Sequence, residues 1–476
     1  MGQEIDTSHF KKQDFEAFSS RLEEETEYLS QLFHEHALSN SHEVAGFEVE
    51  AWLLDLQGHP CAVNETYLER LNSSLVVPEL ARFNVELNSS PLTLQGDVLS
   101  RMHQEFQHTW QRCLSTAADM QIRLMMIGIL PTLRDSELNL ENMSRMTRYR
   151  ALNEQVLRHR RGRPLQFNIT GREHLSVKHR DVMLESATTS YQLHLKVPLD
   201  KSVRYYNTSI ALSAPMVAIT ANSPYLFGKD LWDETRIPLF EQAVEVGGAD
   251  GAAFGPVRRV TFGNGYARDS MMECFTENIE HYPPLLPYES EGGIGQLNHL
   301  RLHNGTIWRW NRPLIGFSAD GSLHLRIEHR VIPAGPSLID AIANAALYFG
   351  LACHFASAPI PLESRISFSE AKQNFYEAAR LGLSANIQWE GATRPITALL
   401  DELLLPAARQ GLQQLGINPA DSELYLGIIQ ERLANGQNGC AWQRRFIEIH
   451  GADMQAMTMA YLEHQDSGQP VHEWGV

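Results

Sequence analysis

The feature that most restricts this chain is a pair of carboxylates set inside an apolar run, Val44-Ala45-Gly46-Phe47-Glu48-Val49-Glu50-Ala51-Trp52-Leu53-Leu54. The run is rich in β-branched and aromatic residues and ends in Asp55-Leu56-Gln57-Gly58-His59-Pro60, a turn by composition, so a strand is predicted. Alternate residues on a strand share a face, which sends Glu48 and Glu50 to the same side. Burying two like charges together is costly unless a cation neutralises them. An edge strand with a wet polar face is the competing reading, and this strand alone leaves both open.

The pattern recurs. Glu86 lies in Phe83-Asn84-Val85-Glu86-Leu87-Asn88, Glu328 in Leu325-Arg326-Ile327-Glu328-His329-Arg330, and Gln192 alternates with His194 in Tyr191-Gln192-Leu193-His194-Leu195. Four strands thus each set Glu, Gln or His on one face. Such an oxygen-rich set suits Mg²⁺ or Mn²⁺, which prefer carboxylates and water to thiolates. The arginines flanking Glu328 point to phosphate as the other anion such a site must hold. Taken alone, Arg326-x-Glu328-x-Arg330 reads equally as a surface ion-pair ladder; the four strands together favour a metal site. No GxxxxGK[ST] and no strand-to-helix GxGxxG occurs, so ATP would be held through metal and arginine. Gly247-Gly248 and Gly292-Gly293-Ile294-Gly295 read as turns. His34 and His36, with His42 nearby, read as surface histidines.

The 476 residues are 43% apolar and 20% charged, enough for a large buried core. Acidic residues outnumber basic ones 57 to 40, a formal charge of −17, which disfavours nucleic acid and anionic membranes as partners. Five scattered cysteines without a CxxC read as free, buried thiols, and the start lacks a signal-peptide pattern, so a cytoplasmic location is expected. The stretch Leu338 to Cys353 is apolar but reads as too short to span a bilayer. Helices are expected over 11–36, 98–117, 144–161, 202–219 and 337–355, with strands over 122–130, 190–197 and 323–332. From about 228 to 300 the Gly, Pro and aromatic content suits long loops around a site. Beyond 365 the sequence predicts helices at 367–381, 396–415, 422–434 and 438–464. The expected class is α+β: an N-terminal helix (1–41), a catalytic domain (42–360) and a helical C-terminal region (361–476) packed on it.

Gly46-Phe47-Glu48-Val49-Glu50 resembles the first metal strand of the glutamine synthetase-like ligases. Val85 through Leu92, Ile127-Gly128-Ile129-Leu130-Pro131, Met143 through Tyr149, the strand around Gln192, Pro215 through Pro224, Gly263 through Arg268 and the Glu328 strand follow in order. Over residues 42 to 350 this series resembles the plant and proteobacterial type of glutamate–cysteine ligase, within the carboxylate–amine ligases. The resemblance implies a bowl-like antiparallel sheet surrounded by helices, with the site on its concave face. It implies that metal-bound ATP phosphorylates the γ-carboxylate of glutamate and that an amine, cysteine or another, attacks the acyl phosphate. On it, Glu48, Glu50, Glu86, Gln192 and Glu328 would bind Mg²⁺ or Mn²⁺, Arg326 and His194 would meet ATP, and Arg330 would act with Glu328 in phosphoryl transfer. Arg148 and Arg268 stand where the family binds substrate carboxylates.

Thr170 to Val182 departs from the family pattern and reads as an insertion near the substrate entrance, leaving the amine substrate open. A guanidino phosphotransferase would share the fold without forming a peptide bond. A ligase-derived binding protein is disfavoured, because a chain freed from catalysis need not keep a costly carboxylate cluster.

Overall fold

The computed structural model describes residues 4–41, 43–246 and 258–476. Gly247-Gly248 and His42 lie outside the described residues. Six strands, β1 (Val44–Leu54), β2 (Val76–Pro78), β3 (Asn84–Asn88), β4 (Ser190–Val197), β5 (Asn311–Phe317) and β6 (Leu323–Pro333), form one curved antiparallel sheet in the order β5-β6-β4-β1-β3-β2. Short strands Leu92–Thr93 and Arg123–Met125 pair with the two ends of β1.

The odd-numbered residues of β1 and β4 sort the sheet's faces. Phe47, Val49, Ala51, Tyr191, Leu193 and Leu195 are almost fully buried on one side, joined by Leu325 and Ile327 of β6. Helices α1 (Lys12–His34), α2 (Val98–Asp119), α3 (Thr147–His159), α4 (Ser202–Thr220), α5 (Arg236–Ala243), α6 (Asn298–Gly305) and α7 (Leu338–Ser357) surround the sheet. The apolar face is covered by α2, α4 and α7: Phe47 meets Phe106 with ring centroids 4.9 Å apart, and the His329 ring stacks on Tyr348 at 4.2 Å. Asn311 Nδ2 donates to Ser213 Oγ at 2.9 Å across the same layer. The apolar stretch at Leu338 forms a 20-residue helix that, contrary to expectation, is long and apolar enough to span a bilayer, and it packs in the core.

C-terminal helices α8 (Phe368–Leu381), α9 (Leu405–Gln414), α10 (Pro419–Ala434), α11 (Gly439–His450) and α12 (Met454–Ser467) share that core. Gly350 and Gly411 bring α7 and α9 backbone to backbone, since a Cβ on Gly411 would overlap the Gly350 carbonyl. Arg432 on α10 donates to Asp340 on α7 at 2.8 Å with both side chains buried. The expected helix over 396–415 contains a π-helical turn at Leu400–Leu404, where Pro406 has no N–H to continue the regular ladder. The expected helix over 438–464 breaks at Gly451 (φ +86°), and Asp453 caps the next one by accepting from Gln455 N and Ala456 N.

Several elements escaped the sequence patterns. Two hairpins, Leu165–Thr170 with His174–His179 and Asn386–Trp389 with Ala392–Pro395, were not expected. The second turns at Glu390-Gly391, where both residues have positive φ. The middle region contains α5, α6 and a helix at Met272–His281 among its loops. The strand expected over 122–130 pairs only through Met125. Beyond it Gln465 takes over, accepting from Met126 N at 3.0 Å and donating to Met126 O at 2.8 Å.

Candidate active site

Strand register builds the site. On the face opposite the apolar layer, Glu50 lies across from Glu86, Glu48 across from Gln192, and Glu328 across from His194. Like charges directly opposite each other on antiparallel strands repel, so the Glu50–Glu86 pairing favours taking up a proton or a cation. A register shift in β6 between His329 and Ile332 re-aims the strand at Arg330. Its Nη1 donates to Gln192 Oε1 at 2.5 Å and to Glu328 Oε2 at 2.8 Å. A cavity of about 260 Å³ lies over these residues.

Two groups of potential ligands face it. Glu48, His194 and Glu328 offer atoms within 4.8 Å of one another, and so do Glu50, Glu79 and Glu86. His194 Nε2 lies 3.2 Å from Glu48 Oε1, which sets the histidine expected to meet ATP among the first group of potential ligands. Gln192 donates through Nε2 to Glu50 Oε1 at 3.0 Å and accepts from Arg330, so it ties the second group to the arginine. Ser190 holds Glu50 from behind through its N–H (2.7 Å) and hydroxyl (3.0 Å).

The electrostatics separate the two groups. Burial works to raise the Glu328 carboxyl's pKa, but Arg312 and Arg330 overcome it and hold the group well below the usual carboxylate range. Burial likewise opposes ionisation of Glu48, and the adjoining His194 pulls it back down, well below its ordinary value. In the second group burial is joined by like charge. Glu50 is pushed up to about 7 by burial and Glu79, against Arg330. Glu86 is raised well above its ordinary value by burial, Glu48 and Glu79. Such a cluster is short of positive charge, and a divalent cation with oxygen ligands fits it.

Arg148, Arg326, Glu328 and Arg330 line the cavity with the carboxylates. Arg148 Nη2 donates to Tyr149 OH at 2.7 Å, and its guanidinium stacks 4.6 Å from that ring's centre. The structure does not bring Arg268 into the cavity. That residue is exposed on a loop whose N–H groups donate to Glu273 and whose Ala267 is tied to Asn207 of α4. The hairpin that contains Thr170 does not line the cavity either. Its tip packs on Leu231, where a Cβ on Gly171 would collide with backbone.

Three contributors were not read from the sequence. Arg312 on β5 grips Glu328, with Nε and Nη2 each 2.9 Å from a carboxylate oxygen. Pro313 argues against a strand there, yet β5 is the sheet's edge, where proline is tolerated. Glu79 directly follows a three-residue strand, too short to show a period. Glu185 comes from a 3₁₀ turn at Met183–Ala187, and nothing in its local sequence marks it.

The family model for glutamate–cysteine ligase family 2 matches residues 2–462 of the chain. Among curated proteins, no sequence match is found. Among solved structures, a glutamate–cysteine ligase from Francisella tularensis in complex with AMP superposes with a TM-score of 0.53 and 10% identity over 90% of each chain. A bifunctional glutathione synthetase from Pasteurella multocida gives a TM-score of 0.51 and 12% identity, covering 93% of this chain and 55% of that one. At such identities the two structures speak for a shared fold alone. The family match extends over nearly the whole chain, which therefore belongs to glutamate–cysteine ligase family 2 and is an ATP-dependent carboxylate–amine ligase.

Proposed function

We propose that the enzyme joins the γ-carboxylate of glutamate to the amine of cysteine through a γ-glutamyl phosphate, and that it requires Mg²⁺ or Mn²⁺. The observation that carries this reading is the position of Arg330, hydrogen-bonded at once to Glu328 of one ligand group and to Gln192 beside the other. A carboxylate is a poor electrophile because its leaving group would be oxide, and phosphorylation supplies a better one. Phosphoryl transfer needs positioning and charge neutralisation more than a protein nucleophile. Glu48, His194 and Glu328 would hold one cation and Glu50, Glu79 and Glu86 another. Bound there, the metals would neutralise the phosphate oxygens and draw ATP and the acid together.

The protein's own groups supply the rest. Arg330 follows the γ-phosphate as charge shifts, with a planar fork that lysine lacks. Arg326 and Arg312 add positive charge at the β5–β6 end of the cavity, where the triphosphate would lie. Arg148 offers a guanidinium to the substrate's α-carboxylate at the other end. All five cysteines are free thiols, four of them buried and Cys61 half-buried, so none is needed as a nucleophile in this route. Glutamate, ATP and hydroxylamine should yield γ-glutamyl hydroxamate, and replacing hydroxylamine with cysteine should yield γ-glutamylcysteine by mass. Phosphorylation of a guanidino compound with no hydroxamate from any acid would replace this reading with phosphotransfer.

A further inference from the structure

The cavity's two ends carry different charge. At the β5–β6 end it is lined by Arg301, Arg312 and Arg326 beside Leu314 and Ile315, a set suited to a polyphosphate with an apolar base. Toward the other end Arg148 lines the cavity together with Tyr149, Leu152 and Glu185. A zwitterion fits this second end better than an anion does.

Glu185 is the one residue there without an evident role. Its neighbours in the turn, Met183, Leu184, Ser186 and Ala187, are buried in the core, while Glu185 lines the cavity. Among the described residues its carboxylate has neither a hydrogen bond nor a salt bridge, and it belongs to neither ligand group. The turn is nonetheless rigidly tied. Val182 N donates to Asn153 Oδ1 of α3 at 3.1 Å, one helical turn beyond Tyr149, and Thr188 returns two hydrogen bonds to Glu185 O. A carboxylate largely removed from water and held rigidly against a cavity calls for a donor carrying positive charge.

We infer that Glu185 receives the α-ammonium of the acid substrate, opposite Arg148 and its α-carboxylate, and so makes the enzyme choose an α-amino acid over a plain dicarboxylate. This inference rests on the proposed ligase reading and names the selectivity device within that site. A charged hydrogen bond of this kind is worth roughly ten- to a hundredfold in affinity.

The test is hydroxamate formation with the Mg²⁺-loaded enzyme, comparing L-glutamate with glutarate, which lacks the amino group. Any hydroxamate from the wild type supports the ligase reading, whatever Glu185 does. In Glu185→Gln the glutamate-over-glutarate preference in kcat/KM should fall at least tenfold, through KM for glutamate. KM for ATP and the Mg²⁺ concentration for half-activation should stay put. Glu185→Asp, which keeps the charge, should restore part of the preference. An unchanged preference in a folded Glu185→Gln protein overturns the inference. So does a rise in the Mg²⁺ requirement with the preference intact, which would make Glu185 a further metal ligand.

Discussion

Arg312 and Glu328 form a two-point ion pair across the edge of the sheet, with Nε and Nη2 of the arginine each 2.9 Å from a carboxylate oxygen. Both side chains are buried, and Arg330 reaches the same carboxylate from its own strand. Two guanidinium groups therefore keep Glu328 ionised despite burial. They also fix which way its oxygens point, and that is what a metal ligand requires.

Arg312→Lys should keep the charge and lose the fork. Activity, read as ADP release, should fall on the order of 10- to 100-fold, with the Mg²⁺ requirement raised. Normal turnover and metal response would mean that Arg312 serves only the fold.

Metal removal should act on stability as well as on rate. EDTA treatment should abolish product formation, and Mg²⁺ or Mn²⁺ should restore it, because both groups are rich in oxygen ligands. Melting temperature should rise with added Mg²⁺ in the way binding to the native state dictates. A metal-free protein that remains fully active would exclude both cation sites.

Glu86→Gln should separate stability from activity. The native Glu86 carboxyl is raised by burial and by Glu48 and Glu79, so it costs folding energy whenever the unfolded chain would be ionised. That cost is present above the raised folded value and fades as pH falls toward the ordinary carboxylate range. The metal-free variant should thus melt a few degrees higher than the metal-free wild type at pH 8, with the gap closing in acid. Its catalytic rate should nonetheless be lower by orders of magnitude. A constant gap at every pH would trace the gain to something other than charge.

Two arginines should behave oppositely. Arg330→Lys should lower kcat strongly with a modest effect on KM, because in the proposed role its interactions would strengthen as the phosphoryl group moves. Arg268→Ala should leave both constants within about twofold, since the residue is exposed and outside the cavity. A large KM increase on losing Arg268 would show that its loop closes over bound substrate.

What the sequence by itself determined is the chemistry on each strand. Period-two alternation is local, so Glu48, Glu50, Glu86, Gln192, His194, Glu328 and Arg330 could be assigned to one face of each strand without knowing the partners. The ordered blocks then pointed to the family. Tertiary structure alone decided which of these side chains meet. Register pairs Glu50 with Glu86 and Glu328 with His194, and register depends on non-local hydrogen bonding that no window of sequence contains. It also recruited Arg312 from an edge strand disguised by Pro313, and Glu79 and Glu185 from segments too short to carry a period. It left Arg268 outside, on a loop packed against α4. The alternation of a strand is written in neighbouring residues, whereas a cavity is assembled from residues hundreds of positions apart, and only the packed core brings them together.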